Sequence, residues 1–347
     1  MNAILDEAYH RLHSTGPEWG GNLSNHGPMA AEVLVRRGRE EQVPAWVDAY
    51  IGRLDKLPGP TEPITDANWR EALSDFGRVG DWVGYFGAQV RERPWREVLA
   101  TWWPRLLPGI VAGATHGVIR VSHAVRTLLA GDESLASVTE LAHGLGWWAA
   151  RSTAVPGFAE LAGSLEPADA LESVPRIPDQ SGVLAERFGQ LGALPSFSRS
   201  LAALRPPADP DDARDRLADL VDAATLKYLT HGHGSPVLLV HTATAPNAVL
   251  HTLPALPREL WPPSLTAAWA ASAAIISTYA PVAGAPREAL PEAPNADDPV
   301  AEVLDRAAAN GDEHVIKFTD TAAEVFNRTG NPDALAASLR VGQLIGG

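Results

Sequence analysis

Apolar residues recur along this chain with a spacing close to 3.6 rather than two, the pattern of helices that each bury one face. In HGPMAAEVLV, for example, His26, Met29, Ala30, Val33 and Leu34 fall at i, i+3, i+4, i+7 and i+8. Periodicity, interrupted by proline and glycine, predicts helices over 3–14, 24–38, 43–54, 67–77, 95–103, 109–130 and 137–151. Further helices are predicted over 182–191, 211–231, 236–253, 264–279, 299–309, 312–328 and 332–342. Start signals support several of these: Ser24, Asp209-Pro210 and Asn331-Pro332 each precede a periodic run, where a side-chain oxygen caps free N–H groups and proline fits the first turn. Alternating β-branched runs are scarce. VLLVHTATA is the best strand candidate, and its continuation PNAVLHTLPAL favours a helix. The expectation is an all-α fold, a single multi-helix bundle-like domain over residues 1–347. Proline-rich segments at 57–63, 165–180, 205–210 and 281–299 are expected to be surface connections.

Composition narrows the functions open to such a fold. Apolar residues make up 45% of the 347 and charged residues 20%, enough to bury a core. The net charge of −14 argues against nucleic acid and anionic membrane surfaces as partners, since phosphate contacts need clustered Lys and Arg. Cysteine is absent, which removes disulfides, thiolate metal sites, iron–sulfur clusters and cysteine nucleophiles. The first residues, MNAILDEAYHRLH, carry acids where a signal peptide carries bases. The longest uncharged stretch, Leu260–Pro286, is rich in Ala, Ser and Thr and reads as a buried core helix, not a membrane span. A cytoplasmic location is expected. Oligomeric state leaves no mark on the sequence.

Eleven histidines are present, and those on apolar faces are informative because a buried imidazole needs a partner. His26 points to the core near a helix start. His116 and His123 lie two turns apart on one face, with Arg120 between them. A cation there favours the neutral imidazole that binds metal, or it could hold an anionic substrate such as a phenolate. His231 and His233, in THGHGSP, are similar to part of an HxHxDH loop but lack its Asp-His, and suit the end of a helix. His241 shares an inward stripe with Val237, Leu238, Ala245 and Ala248, whereas His251 falls near the Pro254–Pro257 break. His10, His13 and His143 read as structural. The competing readings are a core imidazole bonded to a backbone carbonyl for His26 and a polar helix–helix contact for His116 and His123.

The strongest anomaly is GDEHVIKFTDTAAEVF, where His314, Lys317, Phe318, Thr321, Ala322 and Val325 share one face. Lysine is almost never buried without a reason. Lys317 could reach the surface along its stem, act as a desolvated base or Schiff-base amine, or react with CO2 to give a carbamate that ligates metal as a carboxylate does.

SNHGPMA, THGVIR, VHTATAP and EHVIK, in this order, resemble the questin oxidase-like family of helical oxygenases, over residues 20–330. Members act in aromatic-polyketide pathways on anthraquinone rings. The resemblance implies a mononuclear non-haem iron, O2 as oxidant, and five ligands: His26, His116, His241, His314 and a carbamylated Lys317. It also implies a small aromatic polyketide substrate and oxidative, Baeyer–Villiger-like ring cleavage. Two positions depart from the fungal members, which have histidine in place of Arg120 and an aromatic residue in place of His123. Arg120 and His123 are the expected catalytic residues, one holding a substrate oxygen and the other moving protons. The family is associated with a nicotinamide cofactor, yet no GxGxxG follows a strand here, so NADPH is doubtful. Five ligands would leave an octahedral iron one open position, so substrate is expected beside the metal; tryptophans or Phe318 could stack on it, with core packing as their default role. Two other readings stay open: a zinc hydrolase or lyase on the same histidines, and a non-catalytic helical protein that binds an aromatic product. A serine hydrolase is not expected, because no G-x-S-x-G occurs.

Overall fold

A computed structural model describes residues 2–157 and 159–346 and shows an all-α chain whose only sheet, among those residues, is the hairpin Glu18–Trp19 (β1) with Leu23–Ser24 (β2). The chain divides into two compact units. The first takes residues 1–154 and 251–260, and the second takes 155–250 and 261–347.

In the first unit, α1 (Ala3–His13), α2 (Gly27–Arg36) and α3 (Val43–Ile51) precede the short α4 (Trp69–Ala72). They are followed by α5 (Val79–Glu92), α6 (Trp95–Leu106), α7 (His116–Leu129) and α8 (Leu135–Ala150). Ser24, expected to start α2, lies in β2, and His26 is the cap of that helix; other helix starts carry side-chain caps. The Asn2 side chain accepts from the Ile4 and Leu5 amides, and Ser134 accepts from the Ser137 amide. Helix α8 packs between α5 and α7. At Gly144 it comes so near α7 that a Cβ there would stand 3.2 Å from Val121 Cγ2, which explains a glycine inside a helix. Trp82, Trp102, Trp103, Trp147 and Trp148 are fully buried in this unit.

The second unit holds α9 (Pro167–Ser173), α10 (Leu184–Leu191), α11 (Pro195–Ala203), α12 (Pro210–His231), α13 (Pro236–Leu239) and the start of α14 (His241–Thr252). It continues through α15 (Trp261–Tyr279), α16 (Pro299–Asn310), α17 (Glu313–Thr329) and α18 (Pro332–Ile345). The Ala-rich stretch forms α15 and is buried along almost its whole length. No helix among the described residues is long and apolar enough to cross a membrane. The strand candidate VLLVHTATA is helical, as its continuation suggests, but breaks at Val240 into α13 and α14. Pro246 lies inside α14 and has no N–H to donate to the Thr242 carbonyl four residues back. The Ser272 hydroxyl of α15 donates to that carbonyl instead, at 2.8 Å.

Candidate metal centre

All four family-type histidines sit at helix starts. His26 is the cap of α2, His116 and His241 open α7 and α14, and His314 is the second residue of α17. The free N–H groups there carry partial positive charge, so an anionic oxygen donor nearby is favoured electrostatically.

In the first unit, His26 and His116 face each other with Nε2 atoms 2.6 Å apart and rings nearly perpendicular. The arrangement is built by strained backbone. Gly113, Ala114 and Thr115 all adopt positive φ, at 51°, 55° and 72°, and for Ala and Thr that conformation costs on the order of 1 kcal/mol each. Glycine is required at 113 a second time, since a Cβ there would lie 2.8 Å from the Trp147 ring. The turn aims the Gly113 carbonyl at His116 Nδ1. With its proton on Nδ1, His116 keeps a lone pair on Nε2. His26 is held from the other side, its amide donating to the Tyr50 hydroxyl at 2.7 Å.

In the second unit, the His241 and His314 rings meet edge to face with centroids 5.7 Å apart. His241 Nδ1 donates to the Leu238 carbonyl at 3.1 Å, and His314 Nδ1 lies 3.3 Å from Asp312 Oδ1. Asp312 is also the cap of α17, accepting from the His314 and Val315 amides. Burial pushes this carboxyl up, but the hydrogen bonds from His314 and Val315 outweigh it and hold the group below its ordinary value. Burial, with Lys317 and His314 close by, keeps the His241 imidazole well below its usual value, and so neutral. Helices α14 and α17 are tied by Asn247, which donates to Glu324 at 2.9 Å and Thr321 at 3.3 Å.

Lys317 lies one turn along α17 from His314, only 3% exposed. Its Nζ is buried and, among the described residues, has no hydrogen-bond partner. Burial lowers its pKa to about 7, against a weaker upward pull from Glu313 and Asp312. It does not reach the surface along its stem. A desolvated amine, half neutral near pH 7, remains.

Arg120 and His123 are both buried on α7 and both bound to carboxylates. Arg120 forks onto Glu140 of α8, with N–O distances of 2.6 and 2.9 Å. His13 Nε2 meets the same carboxylate at 2.8 Å and stacks on His143. Burial raises the Glu140 carboxyl, but the Arg120 charge and the hydrogen bonds from Arg120 and His13 more than offset that and hold it at about 2. His123 Nδ1 lies 2.7 Å from Glu32 of α2, and Arg126 also binds Glu32. The Arg120 charge is therefore matched within the helix layer. Sequence reading missed both carboxylates. Glu32 stood out as the one acid inside the apolar run MAAEVLV, and Glu140 carried no such signal. Phe318 packs on Tyr228 in the core. His231 ends α12 and contacts the Thr230 hydroxyl, as expected of a helix terminus.

The arrangement gives each unit a pair of imidazoles with Nδ1 anchored on His116, His241 and His314, and the second unit a partnerless buried amine. Such donors suit a divalent metal bound by nitrogen and hard oxygen. No curated protein matches the chain significantly. Comparison with protein families matches residues 39–321, which take in His116, His241, His314 and Lys317 and begin after His26, to the questin oxidase-like family. With that match covering most of its length, the chain belongs to the questin oxidase-like family, an oxidase-type assignment.

Proposed function

We propose that the chain is an O2-dependent oxidase that cleaves a ring carbon–carbon bond of an anthraquinone-type or related polycyclic aromatic polyketide, using one non-haem iron held by His26, His116, His241, His314 and carbamylated Lys317. The observation that carries this reading is Lys317, a buried amine with no hydrogen-bond partner among the described residues, on the same helix face as His314. A neutral lysine amine adds to CO2 by forming an N–C bond and releasing a proton. The product carboxylate exchanges a costly buried cation for an anion that a metal ion and helix N-termini stabilise. A pKa of about 7 places the reactive neutral amine in quantity at physiological pH.

The residues fit such a group in further ways. The anchored Nδ1 atoms of His116, His241 and His314 leave Nε2 as the donor nitrogen, fix ring orientation and raise basicity. When bound, the iron supplies the one-electron chemistry that lets O2 react with a closed-shell aromatic ring. The protein's own part is to hold the donors rigidly and keep them deprotonated. Arg120 and His123, each tied to a buried carboxylate, are proposed to set the electrostatics of α7 behind His116.

Metal content of freshly purified protein tests the reading, together with 13C NMR after equilibration with labelled bicarbonate. About one iron per chain and a carbamate resonance, both lost in Lys317→Met, are expected. Zinc in place of iron, or a protein that stays metal-free after anaerobic loading with Fe2+, would overturn it.

A further inference from the structure

Within the first unit, a cavity of about 420 Å3 opens beside α4, α5 and α6. Its lining carries three guanidinium groups, Arg70, Arg93 and Arg105, in a chain whose net charge is −14. None of the three has a carboxylate partner among the described residues. Arg93 donates to the side-chain carbonyl of the neutral Gln89. Arg105 lies over the faces of Trp69 and Trp102, at 5.0 and 4.7 Å, and Arg70 over Trp69 at 4.3 Å. A guanidinium held against an indole keeps N–H groups with which to donate, and a guanidinium binds an oxyanion in a fork.

One further donor belongs to the same lining. The Tyr85 hydroxyl meets Asp66 at 3.3 Å, and Asp66 is the sole acid among the described lining residues. Most arginines elsewhere on this acidic protein meet carboxylates, as Arg214 does with Asp211 and Asp215. Leaving three together without a carboxylate partner concentrates positive potential in one pocket.

We propose that this pocket binds a phosphate group, either as free phosphate or as the phosphate of a small ester. The two sources share the dianionic, three-oxygen head that three guanidinium forks recognise. An ester would place its organic part against the Trp69 and Tyr85 side chains.

Calorimetric titration of the full chain at fixed ionic strength tests this, with inorganic phosphate and phenyl phosphate as probes and chloride as the balancing salt. One saturable site is expected, weakened about tenfold by Arg105→Gln and by Arg93→Gln, as loss of one charge-assisted contact requires. Arg214→Gln is expected to leave it unchanged. Tighter binding of phenyl phosphate assigns the site to an ester, and equal binding assigns it to free phosphate. Because Arg105 packs on two indoles, Arg70→Gln, an exposed position, serves as a second variant that leaves the core untouched. Absence of saturable binding to the wild-type chain, or binding that survives all three pocket replacements, overturns the proposal.

Discussion

The Nε2 atoms of His26 and His116 stand 2.6 Å apart. Two cis ligands on one metal, with bonds of about 2.1 Å, would lie about 3 Å apart, so the pair is already near the separation a shared cation would impose. Two turns further along the same helices, Glu32 and His123 meet at 2.7 Å. Helices α2 and α7 therefore run in the same direction, with the imidazole pair at their starts and an acid–imidazole pair behind it. The second contact fixes the register that the first one needs.

That geometry predicts that His116→Ala removes bound metal while α7 stays folded, because the packing of α7 on α2 and α8 remains. Chelation should lower the melting temperature of the wild-type protein. A ligand present at a thousand times its dissociation constant contributes about 4 kcal/mol. In His116→Ala the chelator should change nothing. Thermal melts with and without chelator, alongside metal analysis, check both parts.

Lys317 predicts an opposite pair of effects. Lys317→Met replaces a partnerless buried amine with an apolar chain of similar length, so the metal-free variant should gain on the order of 1–3 kcal/mol over metal-free wild type. The same change removes the proposed oxygen donor, so bound metal should fall. Lys317→Glu restores a carboxylate on a shorter arm and should recover part of the metal. Urea denaturation and metal content of the three proteins decide it. A Met variant that keeps its metal would show that Lys317 is not a ligand.

Much of this was legible in the chain, and the gaps have physical causes. The stripe through His26, Met29 and Val33 marked α2 because buried helix faces repeat at that spacing. The same logic found His241 and the His314–Lys317 face. Helix α5 escaped notice because Gly80, Gly84 and Gly87 depress helix propensity, and tertiary packing against α8 overrides that cost. Helix α9 falls in the 165–180 stretch read as a surface connection, and α11 lies outside every predicted helix, although each opens with a proline in its first turn. The pairing of Arg120 and His123 with Glu140 and Glu32 could not be foreseen, since each carboxylate lies on another helix and only packing brings it to α7. The left-handed run at 113–115 was invisible for another reason: only Gly113 advertises it, and Ala114 and Thr115 are held there by the fold.

Acid should unfold the protein through the cluster around α1 and α8. Burial, with His13 and Arg120 nearby, lowers the His143 pKa to about 3. The unfolded chain therefore binds a proton below pH 6.5 that the folded chain refuses, and stability falls as pH drops from there toward 3, at up to about 1.4 kcal/mol per pH unit. Glu140 acts in a lower window: its depressed value of about 2 gives stability that is complete above pH 4.5 and is lost as pH falls from there toward 2. Denaturant titrations between pH 7 and 4 should show the first slope in wild type, and His143→Leu should flatten it above pH 5. An unchanged slope in that variant would place the acid sensitivity elsewhere.

The Arg120–Glu140 pair allows a sharper test of what buried charge contributes. Both side chains are almost wholly inaccessible, and the carboxylate also binds His13. Removing one partner leaves the other charged and desolvated, so Arg120→Met should destabilise by about 3–5 kcal/mol. Replacing both partners, as Arg120→Met with Glu140→Leu, removes the desolvation cost together with the attraction and should restore most of that loss. If Arg120 serves mainly to balance charge behind His116, the double variant should keep the metal of the wild type. If its guanidinium instead holds a substrate oxygen during turnover, the double variant should bind metal and fold normally while its KM for the aromatic substrate rises. Stability, metal content and the split between kcat and KM, measured on the same three proteins, separate these roles.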